Sequence, residues 1–256
     1  SFQQNVSAPP PVAPAVRRVV SPVGDSWTEG NQQKLSRDNT VRLEDIWDYQ
    51  LAALLGVPKY VTPGQTGVTE GVINVGYGGQ VTATIKNNML AILANDPARS
   101  QDAFIIGPGR NDTPNAGGDA LTLAGVDAMT AAIPHNRVVV WPPDGAMGGI
   151  TLSSLSIGSW VRAKKVHWAY REDARRKYLF ELGRFYRGLS PNGSNGTSTD
   201  DVDAAGDKLI GSLAASAGVD QQHPNYLAAP LWAAAFKPLV EAMWNEGVYV
   251  LDSTLA

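Results

Sequence analysis

Residues 17–28 read RRVVSPVGDSWT. The β-branched run within Arg17–Val23 predicts a short strand that stops at Gly24. Partners for such a strand lie further along the chain. Arg42–Leu55 carries Leu43, Ile46, Trp47, Leu51, Leu54 and Leu55 at helical spacing and stops at Gly56. Val72–Val75 predicts a second strand, Gln80–Leu93 a helix, Ala103–Ile106 a third strand and Asp119–Ile133 an Ala/Leu-rich helix. Arg137–Trp141 predicts a fourth strand, closed by Pro142 and Pro143. Strands that alternate with helices imply an α/β fold, with a mainly parallel sheet covered on both faces.

The second half is less regular. Asp144–Ser159 reads as loop, Val161–Tyr178 as helix, and a fifth strand is expected within Tyr178–Arg187. Pro191–Asp201 is a polar loop, and Leu227–Trp244 a closing helix with Pro230 and Pro238 as boundaries or kinks. At the other end, residues 1–15 hold Pro9, Pro10, Pro11 and Pro14 and read as an extended linker or disordered terminus. Residues 16–256 then form one domain. Linker behaviour would suit fusion to further domains, as in an extracellular or virion tail protein.

Composition narrows the function. The chain has 256 residues, 43% of them hydrophobic, enough for a sizeable core. A net charge of −3 lacks the basic excess of a nucleic-acid module. Zero cysteine excludes disulfide frameworks, zinc ribbons, iron–sulfur clusters and thiol nucleophiles. The longest apolar stretch, Tyr226–Phe236, is far short of the ~20 residues of a membrane span. The start shows no basic region followed by an apolar run. There is no G-x-S-x-G elbow, P-loop, dinucleotide fingerprint or H-E-x-x-H, and no cofactor or metal is expected.

In open parallel sheets the chemistry collects beyond the carboxyl ends of strands. After the first strand stands Gly24-Asp25-Ser26-Trp27-Thr28. After the second comes Asn74-Val75-Gly76-Tyr77-Gly78-Gly79, and after the third Gly107-Pro108-Gly109-Arg110-Asn111-Asp112. Asp220-Gln221-Gln222-His223-Pro224-Asn225 lies near the end. Taken singly, Ser26 would be a turn or cap serine, Asn111-Asp112 a turn, Asp220 and His223 a surface pair, and the glycines plain loop. Taken together and in this order, GDS, N-x-G-x-x-G, G-x-N-D and D-x-x-H-P resemble the four blocks of the SGNH hydrolases, the GDSL esterase/lipase family. The blocks span Gly24 to Asn225.

The resemblance implies a three-layer α/β/α sandwich with a five-stranded, flavodoxin-like sheet. It also implies a serine esterase. Ser26 would be the nucleophile, a weak one until a base takes its proton. His223 would be that base and Asp220 would orient it. The oxyanion donors would be the backbone N–H groups of Ser26 and Gly79 and the Asn111 side-chain amide. Gly76 and Gly78 compete with Gly79 for that part. Asp25 would support the turn. Trp27 stands where the family commonly has an aliphatic residue; with Arg110 and Trp141 it is a candidate to line a pocket. Trp160, Trp168, Trp232 and Trp244 read as packing residues, and His135 and His167 as structural or surface histidines. The expected substrate is a short-chain acyl ester, either a small molecule or O-acetyl on a polysaccharide. The competing class is a non-catalytic carbohydrate-binding or structural module on the same fold.

Overall fold

The computed structural model describes residues 17–30, 44, 46–109, 111–112, 118–133, 138–140, 177–179 and 228–245. Strand β1 (Arg18–Gly24) is central and buried from Val19 onward. Short β2 (Lys59–Tyr60) pairs with β3 (Glu70–Ile73), which is followed at once by β4 (Val75–Gly76). Then come β5 (Ala103–Gly107), β6 (Val138–Val140) and β7 (Lys177–Leu179). The order across the sheet is β2-β3-β1-β5-β6-β7, with β4 also beside β1, and every pairing is parallel. With β3 and β4 taken as one interrupted strand and edge strand β2 set aside, five principal strands remain in the flavodoxin order.

Helices cover both faces. Alternate residues of each strand point to opposite sides. Val20, Val72, Ala103 and Ile105 pack with α2 (Trp47–Leu55) and α5 (Ala228–Trp244). Val23, Val75, Phe104 and Ile106 pack with α3 (Thr82–Asn95) and α4 (Gly118–Ala131). This is the three-layer sandwich expected. On the α2/α5 face, Trp232 lies 5.4 Å from Trp27 and 6.0 Å from Trp47 between ring centroids, and Phe236 lies 5.2 Å from Trp47. Each such buried aromatic contributes roughly 1.5–3 kcal/mol by leaving water. Trp27 is 1% exposed and belongs to this core. Trp232 and Trp244 are packing residues, as read.

Several boundaries differ from the sequence expectation, each for a local reason. The second strand runs from Glu70 to Gly76 but breaks at Asn74. Val20 pairs with Val72 and Val23 with Val75, so the break falls opposite Pro22. Proline brings no N–H to a ladder, and an interruption at its level results. The helix expected over Arg42–Leu55 begins at Trp47, because Ile46 is extended (φ −98°, ψ 129°). Gln80–Leu93 becomes Thr82–Asn95, and Asp119–Ile133 becomes Gly118–Ala131. The last strand starts at Lys177, where a helix was expected to continue to Tyr178; Lys177, Tyr178 and Leu179 instead pair with Val138, Val139 and Val140. In α5, Pro230 sits in the first turn, where a missing N–H costs nothing. Pro238 lies inside the helix on its exposed side, while Phe236, Leu239 and Val240 keep the buried face continuous past it. The expectations for residues 1–15, 144–159 and 191–201 lie outside the described residues.

A buried polar cluster ties the segment before β5 to β1. The Asp102 carboxylate accepts from Ser21 Oγ (2.7 Å) and Arg99 Nε (3.1 Å). Arg99 also donates to Ser21 Oγ from its second nitrogen at 2.8 Å.

Candidate active site

Three strands end side by side on three glycines. Gly24 is the register partner of Gly76 on one side and of Gly107 on the other. The chain leaves β1 to one side, returns, and then crosses to the other, so this is the topological switch point where open α/β sheets bind ligands. Ser26, Gly79 and Asn111 all lie in the segments just beyond these glycines. Asp220 and His223 lie outside the described residues.

Ser26 opens a single helical turn, α1 (Ser26–Glu29), and is 7% exposed. Asp25 caps that turn: its carboxylate accepts the Trp27 N–H at 3.1 Å. This is the supporting part expected of it. Gly30 ends the turn in the left-handed region (φ 80°) and donates to the Ser26 carbonyl at 3.0 Å. Gly24 is required by space, since a Cβ there would lie 2.2 Å from Thr28 Oγ1. Trp47 Nε1 donates to the Trp27 carbonyl at 3.0 Å and fastens the turn to α2.

The second block forms a tight turn. Tyr77 N–H donates to the Gly24 carbonyl at 2.8 Å, and Gln80 N–H to the Tyr77 carbonyl at 3.3 Å. Gly76 N–H is held by Asn74 Oδ1 at 2.6 Å, which removes it as an oxyanion donor. Gly78 faces the Glu29 carboxylate, 2.2 Å from where a Cβ would sit. Gly79 is left-handed (φ 71°) with open space around it. The third block is tied to the second. Asn111 Nδ2 donates to the Gln80 carbonyl at 3.1 Å, which leaves its other amide hydrogen to point elsewhere. Asp112 caps α3, accepting from Thr82 Oγ1 at 2.6 Å and from Thr82 N–H.

Glycine at 76 and at 79 answers to different constraints. A Cβ at 76 would stand 2.2 Å from the Glu29 backbone nitrogen and 2.6 Å from its Cα, so α1 would have to move off β4. Gly76→Ala should cost about 3 kcal/mol, in the overpacking range. Gly79→Ala meets no atom and should cost only about 1–2 kcal/mol, for its left-handed backbone. Urea midpoints of the two variants check this; equal losses would contradict it.

One part of the site was not anticipated. A cleft of about 360 Å³ beside α1 is bounded by Glu29, Ile46, Asp48, Lys59, Asn74 and Tyr77, among others. Asp48 is fully buried and pairs with Lys59 Nζ at 2.9 Å. Burial raises its carboxyl above the ordinary 3.8, against the opposing pull of the Lys59 ammonium. Lys59 also lies 4.9 Å above the Tyr49 ring. Burial likewise raises the Tyr77 phenol, against the Arg99 charge. The sequence did carry one signal: Asp48 falls on the same helical face as Leu51, Ala52 and Leu55, so a charge was heading into the core.

This three-layer α/β/α architecture is the SGNH hydrolase fold. The solved structures it resembles include a lipase/acylhydrolase from Enterococcus faecalis (TM-score 0.51, 18% identity, 88% of this chain and 95% of that one). TesA matches with a TM-score of 0.50 at 18% identity over 88% and 99% of the two chains. A lipolytic protein of the G-D-S-L family from Desulfitobacterium hafniense matches with a TM-score of 0.50 at 13% identity over 86% and 98%. No protein-family model matches the sequence, and neither does any curated protein. Among the described residues, no helix is long and apolar enough to cross a membrane.

Proposed function

We propose that the chain is a serine esterase acting on short-chain acyl esters, with O-acetyl groups on carbohydrate as the natural class. The observation that carries the reading is the meeting of the GDS, N-x-G-x-x-G and G-x-N-D segments at one switch point, each directly beyond a strand. The D-x-x-H-P block of Asp220 and His223 completes the set in sequence. Ser26 Oγ attacks the ester carbonyl carbon as His223 takes the hydroxyl proton. Asp220 holds the imidazole in the right tautomer and stabilises its charged form. The carbonyl oxygen, now an anion, is met by the N–H groups of Ser26 and Gly79 and by Asn111 Nδ2. The carbon–oxygen bond to the alcohol breaks as His223 returns the proton. Water then repeats the cycle and releases the acid. The bond from Asn111 to the Gln80 carbonyl supports this reading, because it sets the amide next to Gly79. The catalytic domain is assigned to residues 16–256, with residues 1–15 a Pro-rich linker or disordered terminus ahead of it.

The test is hydrolysis of p-nitrophenyl acetate against longer-chain esters, with chelator present, followed by acetylated xylan or similar acetylated glycans. Turnover that survives the chelator and falls with chain length is expected. Glycan binding without release of acetate from any substrate would replace this reading with a carbohydrate-binding module.

A further inference from the structure

Asn74 joins the two halves of the site. Its Nδ2 donates to the Thr28 carbonyl at 2.7 Å, two residues beyond Ser26. The same nitrogen donates to Asp48 Oδ2 at 2.6 Å. Its Oδ1 accepts the Gly76 N–H at 2.6 Å, at the start of the turn that leads to Gly79. All three contacts depend on which way the amide points. Rotated by half a turn, the oxygen would face the Thr28 carbonyl and a carboxylate, and the NH₂ would face an N–H. Asp48, a buried carboxylate on the donor side, acts with the Thr28 carbonyl and the Gly76 N–H to fix the choice. Lys59 Nζ meets the same Asp48 Oδ2 at 2.9 Å and donates to the Tyr60 carbonyl at 3.0 Å.

Resting on the esterase reading, we propose that Asp48 is a positioning residue for the reaction: through Asn74 it sets the Ser26 turn and the Gly79 turn relative to each other. The Asp48 side chain is held by Asn74 and Lys59. Its effect belongs to the tetrahedral state, where nucleophile and oxyanion donors must act on adjacent atoms, and so to kcat rather than KM.

The experiment compares Asp48→Ala, Asp48→Asn, Asn74→Ala and the Asp48→Ala/Asn74→Ala pair on p-nitrophenyl acetate. Asp48→Ala should lower kcat about 10- to 100-fold, the range for small misplacements, with KM within about twofold. Affinity for phenylboronic acid, which forms a tetrahedral adduct with an active serine, should weaken in parallel with kcat. Asp48→Asn should keep kcat within about threefold of wild type, because one amide oxygen can still accept from Asn74 and Lys59. The pair should be no worse than Asn74→Ala alone, as two residues acting in series require. Asp48→Ser, too short to reach Asn74, replaces Asp48→Ala if that variant does not fold. A fall in melting temperature with wild-type kcat and boronate affinity would overturn the inference alone. Absence of Ser26-dependent turnover in the wild type, with no fluorophosphonate labelling, would overturn the esterase reading and this inference with it.

Discussion

Ser26→Ala should lose at least about 10⁴-fold in ester hydrolysis, the scale on which triad serine hydrolases depend on their nucleophile. The fold should survive. Alanine is at home in a helical turn, the cap from Asp25 to Trp27 N–H uses no Ser26 atom, and the Gly30 bond uses only its carbonyl. The variant's urea midpoint, measured alongside its activity, separates lost chemistry from lost structure. In the wild type, kcat/KM should rise with pH through a limb near neutrality as His223 loses its proton. Full hydrolysis by Ser26→Ala would end the proposed mechanism. A rate flat from acid to alkaline pH would remove histidine as the base.

The sequence made most of the scaffold legible because buried parallel strands are written plainly. Arg17–Val23, Ala103–Ile106 and Arg137–Trp141 are short β-branched or aliphatic runs between punctuating residues, and each falls on an observed strand. The places where the reading slipped are set by pairing rather than by local preference. Lys177 and Tyr178 suit a helix until β6 offers them a ladder. Pro22 stands in the central strand, and its effect surfaces on the neighbour, as the break at Asn74. No window along the chain contains both residues, so periodicity could not find it.

The site divides in the same way. Glycines 24 and 76 could be named from their motifs and Gly107 from its place after the third predicted strand, and their register shows why each ends a strand there. Trp27 looked like a pocket residue because it sits next to Ser26; the packing of Trp232 against it makes it core instead. The partnership of Asn74, Asp48 and Lys59 joins residues from α2, β2 and the break between β3 and β4. Each has an ordinary local reading, and only the fold brings them together.

Lys59→Met should be the most destabilising single change at that junction. Asp48 is fully buried and the Lys59 side chain is 6% exposed, so removing the ammonium leaves a carboxylate without its counter-charge in the core. Breaking a buried pair from one side costs about 3–5 kcal/mol, whereas removing both charges is often close to neutral. The double variant Lys59→Met/Asp48→Asn should therefore recover most of the loss, because the new amide oxygen still accepts from Asn74. The pH dependence has a fixed sign. Burial already raises the Asp48 carboxyl above 3.8, and without Lys59 the opposing pull is gone, so it rises further. A carboxyl raised in the folded state binds its proton more tightly there than in the unfolded chain. Its unfavourable contribution is absent below 3.8, where both states are protonated, and grows as pH climbs through the raised value. The stability gap between single and double variants should be widest near neutral pH and close as the solution is acidified, while other carboxylates cancel in the difference. Urea unfolding of both proteins at a series of pH values measures that gap directly. A gap independent of pH would show that the lost stability comes from the aliphatic stem of Lys59 and its contact with Tyr49, not from an orphaned charge on Asp48.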